Sequence, residues 1–519
     1  MQQNKSGMSL NYHSILHRNL MLVPALLLCL LAPAWAQITV QGGSTNGGSP
    51  PSSNKYPGQV RVDFYMTPQE AARLLSSVDE IMAFDSKLTG LAVRGHVERQ
   101  ITDRNQLKQL ADKRLKDDDV VQRMQRSSLV LQKFGFIPRD FDLQKFIAET
   151  AVDELAGYYD PRVKTMYLLN WLPLKAQQPV MAHELDHALQ DQNFGLEKWM
   201  KIQDTADENL PEAELNEQRA VRRAVVEGHA TSVMIDYMLA PYGKSLAQLP
   251  ALPPDFNQKM LDRYSNSSAM QHAPLIFREA AIFTYIYGLE FIHQVVLKGG
   301  KDRAYSGVFK DPPRSTRQIM EPGTYLSGEK LPPLKIPALD AVLGSDYQKL
   351  DDGVMGEFDA MVFLKQFGSP EQARQVTPQW RGGYYYAARR LGKSDDKTGN
   401  DKSGDDRQAD AKTADSSGSH VPIKLGDVAL LYVSRWATPA AAHDFAEVYR
   451  ASVPRRYPGA QPLIRVGQST AKEDFAHWDT SDGSILLEVK GDHVVAVESF
   501  DQITASNLVS ILPQDGPAH

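Results

Sequence analysis

Cysteine is almost missing from this chain: its 519 residues hold one, Cys29. Leu28 precedes it, where lipid attachment wants a small residue, so neither a lipid anchor nor a disulfide nor a cysteine nucleophile is expected in the mature protein. Basic charge is also in short supply. The net charge is −6, and removing residues 1–36 takes away Lys5 and Arg18 and no acid, which leaves about −8. That balance argues against a nucleic-acid partner, whose binding needs basic patches. Beyond the N-terminal segment no run of eighteen uninterrupted apolar residues occurs, so no membrane span is expected after processing. No internal repeat, nucleotide-binding loop or Ser-His-Asp signature is visible, although residue order alone does not exclude a dispersed triad.

With 42% hydrophobic and 23% charged residues, the composition is that of a soluble globular protein. The length exceeds one ordinary core, so at least two domains are expected. At the N-terminus Lys5 and Arg18 precede an apolar run from Leu20 to Leu31, and Ala34-Trp35-Ala36 follows. This reads as a secretory signal peptide over residues 1–36 with an A-x-A cleavage site; the alternative is an uncleaved anchor. Residues 37–59, rich in Gly, Ser, Pro and Asn, read as a flexible leader. An exported chain without cysteine points to a bacterial periplasm or exterior.

The stretch that carries chemistry is Val180–Gly195, which contains His183, Glu184 and His187 as H-E-x-x-H. At 100° per residue the two histidines lie about 40° apart on one helix face. Met181, Leu185, Ala188 and Leu189 gather on the opposite face. Two imidazoles at that spacing suit a zinc ion, with Glu184 beside it as general base for water.

A catalytic zinc needs a third protein ligand. Glu212, Glu214, Glu217, Glu227 and His229 are the downstream choices. On a helix from about Glu217 to Leu239, Glu227 shares its face with Ala220, Ala224, Ala230, Thr231 and Met234. A carboxylate on such a small, apolar face is costly to bury without a partner. Zinc is one partner; Arg223, one turn earlier, is the other. Glu212 and Glu214 read as solvated, and His229, more than half a turn from Glu227, is a reserve.

HELDHALQDQ followed by VEGHAT resembles the gluzincin type of zincin metallopeptidase. More narrowly, the chain is similar to a group of mostly uncharacterised bacterial proteins with HELTHALQDQ and VEGDAT. The resemblance runs from about Arg94 to Tyr385 and takes in AGYYDP, APLIFREAAIFTYIYG and DPPRSTRQIMEPGTY. It implies His183, His187 and Glu227 as zinc ligands and Glu184 as catalytic base. Two positions depart from it: Asp186 stands where that group has Thr, and His229 where it has Asp. Both concern the hydrogen bonds around the ligands, which tune a metal.

Other elements are expected as follows. Thr67-Pro68 opens a helix through about Phe84, and Arg94–Phe134 reads as helical. Val163–Leu169 reads as a strand before the H-E-x-x-H helix, either an ordinary sheet member or one that pairs with an extended substrate. Pro274–Leu297 reads as a long core helix; its Tyr285 and Tyr287, with Tyr158 and Tyr159, are minor candidates for stabilising an oxyanion. The domains expected are a mainly helical, zincin-like catalytic domain over residues 60–380 and a small α+β module over residues 381–519. The module holds a disordered insert at 393–420 and a hairpin turning at Gly491-Asp492. Its histidines, His420, His443, His477 and His493, have no ligand spacing.

The class expected is therefore α+β, and the activity that of an exported zinc-dependent peptidase acting on peptide or protein. Two alternatives stand beside it. One is a non-catalytic exported binding or assembly protein that keeps its zinc site; Glu184 counts against it, since a structural site needs no base. The other is a zinc hydrolase of a non-peptide substrate.

Overall fold

The computed structural model describes residues 67–103, 105, 106, 109, 118–150, 157–169, 174–202, 212–252, 271–391, 423–463 and 474–513. The expected signal peptide, leader and insert lie outside these residues. Helix and strand are mixed, with helix in excess, as the α+β class requires.

Helix α1 (Pro68–Ser76) begins as the Thr67-Pro68 pair predicts, with a capping box between Thr67 and Glu70. The single helix expected through Phe84 is two: α1 stops at Ser77, and α2 (Val78–Thr89) follows and closes on Gly90 at φ 75°. Strand β1 (Glu98–Thr102) comes next, where a charged helix is expected. Helices α3 (Asp118–Phe134) and α4 (Leu143–Thr150) lead to β2 (Gly157–Asp160) and β3 (Thr165–Leu169).

These three strands form one sheet in the order β1-β3-β2. Strand β3 pairs in parallel with β1 and antiparallel with β2. It therefore has no free edge, and the expectation that this strand itself pairs with a substrate is corrected: among the described residues the edge strands of this sheet are β1 and β2. The sheet packs on α5 (Leu174–Phe194), with Met166 and Leu168 of β3 in one buried cluster with Met181, Leu185, Ala188 and Leu189.

After α6 (Leu196–Met200), two long helices build the centre. These are α7 (Leu215–Leu239) and a helix made of α8 (Leu275–Ile282), a π-turn (Phe283–Tyr287) and α9 (Gly288–Gly299). The helix spanning 275–299 is long and apolar enough to cross a membrane, but in its most apolar stretch 67% is buried inside the protein. It is a core helix, as its Arg and Glu residues suggest. Short α10 (Thr316–Met320) then precedes the second sheet.

That sheet has seven strands: β4 (Tyr347–Val354), β5 (Trp380–Arg390), β6 (Val428–Trp436), β7 (Gln461–Pro462), β8 (Phe475–Thr480), β9 (Gly483–Lys490) and β10 (His493–Glu498). Their order is β4-β5-β6-β10-β9-β8-β7, antiparallel throughout. Lys490 pairs with His493 across Gly491-Asp492, so the predicted two-residue hairpin is there, with Gly491 at φ 62°. Helices α11 (Glu357–Phe367) and α12 (Pro439–Arg456) cover one face, and α13 (Gln502–Ile511) the other. The sheet thus begins at Tyr347, ahead of residue 381.

A buried charge cluster fastens this sheet to the helices. Glu498 of β10 accepts from Arg456, Tyr449 and Tyr457 at 2.6–2.7 Å, and Arg456 also donates to the Lys133 carbonyl at the end of α3. Satisfied on every side, this ion pair escapes the penalty of an unpartnered buried charge.

Candidate metal centre

Helix α5 buries Met181, Leu185, Ala188 and Leu189 completely against the small sheet. Helical periodicity then turns His183, Glu184 and His187 toward α7. Helix α7 in turn buries Val221, Ala224, Val225 and Ala230, and presents Glu227 to the two histidines.

The pivot is Gly228. A Cβ on it would lie 2.1 Å from the backbone carbon of Gly288 and 2.3 Å from its oxygen; one on Gly288 would lie 2.3 Å from the Ala224 oxygen. Helices α7 and α9 touch backbone to backbone, so no side chain fits between them. The glycine of VEGHAT is there for this contact, one residue from Glu227.

His183 Nε2 and Glu227 Oε2 are 3.1 Å apart, His183 Nε2 and His187 Nε2 are 3.1 Å apart, and His187 Nε2 and Glu227 Oε2 are 3.3 Å apart. A tetrahedral zinc with ligands at 2.0–2.1 Å separates them by about 3.3–3.4 Å. The triangle matches one face of that tetrahedron, and two imidazoles with one carboxylate are a zinc donor set. Among the described residues no other group of three His, Cys, Asp or Glu converges in this way.

The electrostatics are those of a site that wants a cation. Burial raises the Glu227 carboxyl, but His187 and His183 beside it more than reverse this and hold it well below the usual carboxylate range. Burial disfavours the His187 imidazolium, yet Glu227 and Glu184 push that ring up to about 10.

Glu184 is buried beside the triangle. Its Oε2 accepts a hydrogen bond from the Tyr159 amide on β2 at 2.8 Å. Burial lifts its carboxyl above the ordinary value, partly offset by His183 and His187.

The remaining candidates part company. Tyr285 is carried by the π-turn to within 6.2 Å of the His183 ring, centre to centre. Tyr287 points to Met361 in the core. Tyr159 donates its hydroxyl to Asp191, and burial with that carboxylate raises its phenol. Tyr158 stacks on Tyr167 at 4.5 Å. Glu217 accepts from the backbone and hydroxyl of Thr316, about 15 Å along α7 from Glu227. His443 and His493 lie beside Asp474 and Asp492, far from ligand geometry.

His229 is not a ligand. Its Nδ1 meets Asp186 Oδ2 at 2.5 Å, with neither side chain exposed, and its Nε2 is 3.3 Å from the Tyr305 carbonyl. Gln190, which sequence reasoning missed, touches both of these and His187. The only sequence signal was its place three residues after His187, within reach on the same helix.

Compared with models of known families, with curated proteins and with solved structures, the chain finds no match.

Proposed function

We propose that this protein is an exported zinc-dependent peptidase of gluzincin type, with a zincin-like catalytic domain over residues 60–380 and an α+β module over residues 381–519 whose sheet takes in β4 from before that boundary. The observation that carries this reading is the triangle of His183, His187 and Glu227, with sides of 3.1–3.3 Å, and a buried carboxylate next to it that is not a member. A purely structural zinc site has no use for Glu184.

Zinc held there supplies Lewis acidity, which polarises a carbonyl and acidifies water. The chain's own residues do the rest. Glu184, fixed by the Tyr159 amide, takes the proton of the attacking water and passes it to the departing amine. The edge of β2 beside Glu184 suits an extended peptide, whose backbone would add to the sheet as a further strand. The buried walls of the site exclude bulk water and strengthen each charge interaction.

The test is elemental analysis of the mature protein from Gln37, with Glu184→Gln and Glu227→Ala alongside. Wild type and Glu184→Gln are expected to hold about one zinc per chain and Glu227→Ala to lose it. A wild type that cannot be loaded, or a Glu227→Ala that keeps its zinc, overturns the ligand set. With a cleavable peptide in hand, Glu184→Gln should abolish turnover with zinc still bound.

A further inference from the structure

Gln190 is fully buried three residues beyond His187 on α5. The proposed chemistry does not use it, yet both ends of its amide are engaged. The nitrogen lies 2.8 Å from Asp186 Oδ2, 3.0 Å from the Val226 carbonyl and 3.2 Å from His229 Nδ1. The oxygen lies 3.1 Å from His187 Nδ1.

These partners decide which way the amide faces. A carboxylate and a backbone carbonyl only accept, so the end that meets them is the NH2 group. The other end is then oxygen, which also only accepts. His187 Nδ1 must therefore carry a hydrogen. Once that hydrogen sits on Nδ1, the lone pair a metal needs is left to Nε2. Nε2 is the atom that converges on His183 and Glu227.

The amide also reaches the second ligand-bearing helix. Val226, whose carbonyl it holds, immediately precedes Glu227 on α7. One side chain thus sets the tautomer of one ligand and the distance to the helix of another. The Asp186 carboxylate and the Val226 carbonyl keep its NH2 group from turning.

We infer that Gln190 is the positioning residue of the metal centre: it directs His187 Nε2 at the metal and clamps α5 to α7 at Val226. The inference rests on the zinc reading above. It does not require Gln190 to touch metal or substrate.

Two measurements test it. In zinc-loaded wild type labelled with 15N-histidine, ring nitrogen shifts should show His187 bound through Nε2 with a solvent-protected proton on Nδ1; binding through Nδ1, or free exchange of that proton, overturns the inference. Zinc affinity is then measured by competition with a chromophoric chelator for wild type, Gln190→Leu and Gln177→Leu. Gln177 is a buried amide on the same helix that donates to the Leu169 carbonyl, away from His187. Gln190→Leu should bind zinc about 10- to 100-fold more weakly, and Gln177→Leu as wild type does. Equal affinity in wild type and Gln190→Leu overturns the role of Gln190 and leaves the zinc site standing. A wild type that takes up no zinc overturns both. If Gln190→Leu does not fold, the nitrogen spectrum of wild type decides alone.

Discussion

Asp186 and His229 are in contact: Oδ2 of one lies 2.5 Å from Nδ1 of the other, and neither side chain is exposed. Asp186 Oδ2 also accepts a hydrogen bond from the Gln190 amide at 2.8 Å. The pair couples α5 to α7.

A mutant cycle reads that coupling. Asp186→Thr leaves His229 buried without its carboxylate, and His229→Asp buries two carboxylates together. Each should cost about 3–5 kcal/mol of unfolding free energy. The double exchange should recover most of it. Denaturant unfolding of the four proteins checks this, and additive losses would mean the two residues act independently.

Gly228→Ala should be among the most damaging single changes. Its methyl would overlap the Gly288 backbone at 2.1 Å, and backbone has no rotamer by which to yield. Helices α7 and α9 would separate at about 3 kcal/mol of cost, carrying Glu227 away from the histidines. Thermal unfolding and zinc content measured together should both fall; a stable variant with full zinc would show that the helices can part without moving Glu227.

Metal uptake should expel a proton. With His187 raised to about 10 by Glu227 and Glu184 against the effect of burial, the ring is an imidazolium at pH 7, and zinc needs its Nε2 lone pair. Binding should release about one proton from this residue, and affinity should weaken as the pH falls. Titration calorimetry in two buffers of different ionisation enthalpy measures the release directly. Identical heats in both buffers would show that His187 is already neutral.

Glu217 predicts the opposite kind of pH effect, on stability. Burial, with Asp359 adding to it, pushes its carboxyl up to about 8, against hydrogen bonds from Thr316 that lower it. In the unfolded chain it ionises near 4.5, so between about 4.5 and 8 the folded state holds the extra proton. Stability from this group is complete below the lower value and is lost as pH rises through that window, on the order of 1.4 kcal/mol per unit. Glu217→Gln keeps an acceptor for Thr316 and should flatten the decline. Unfolding curves at pH 5 and pH 8 compare the two; parallel losses in both proteins would place the effect elsewhere.

Much of the site was legible because its geometry is local. Histidines at i and i+4 share a helix face whatever surrounds them, so His183, Glu184 and His187 could be placed from spacing alone. Glu227 was readable because a carboxylate among alanines on one face must meet something positive. The helix cap at Thr67 and the Gly491-Asp492 turn were equally plain, since each depends on a few adjacent residues.

Strands β1 and β4 were not legible. ERQIT and YQKLDDGV carry charge where a buried strand would carry Val or Ile, and each exists because a distant partner, β3 or β5, supplies its hydrogen bonds. The same holds for which strand is the open edge beside Glu184 and for the Gly228–Gly288 contact.

What the sequence determined by itself is the grouping of His183, His187 and Glu227, with Glu184 beside them, and the two helices that bear them, because these follow from periodicity and from the cost of burying charge. Only the tertiary structure decided that Asp186 answers His229, and that Gln190 points His187 at the centre. The contacts that fix them, Gln190 to the Val226 carbonyl and Asp186 to His229, join residues 36 and 43 positions apart on two helices, and no spacing rule within one helix contains the angle at which it meets another.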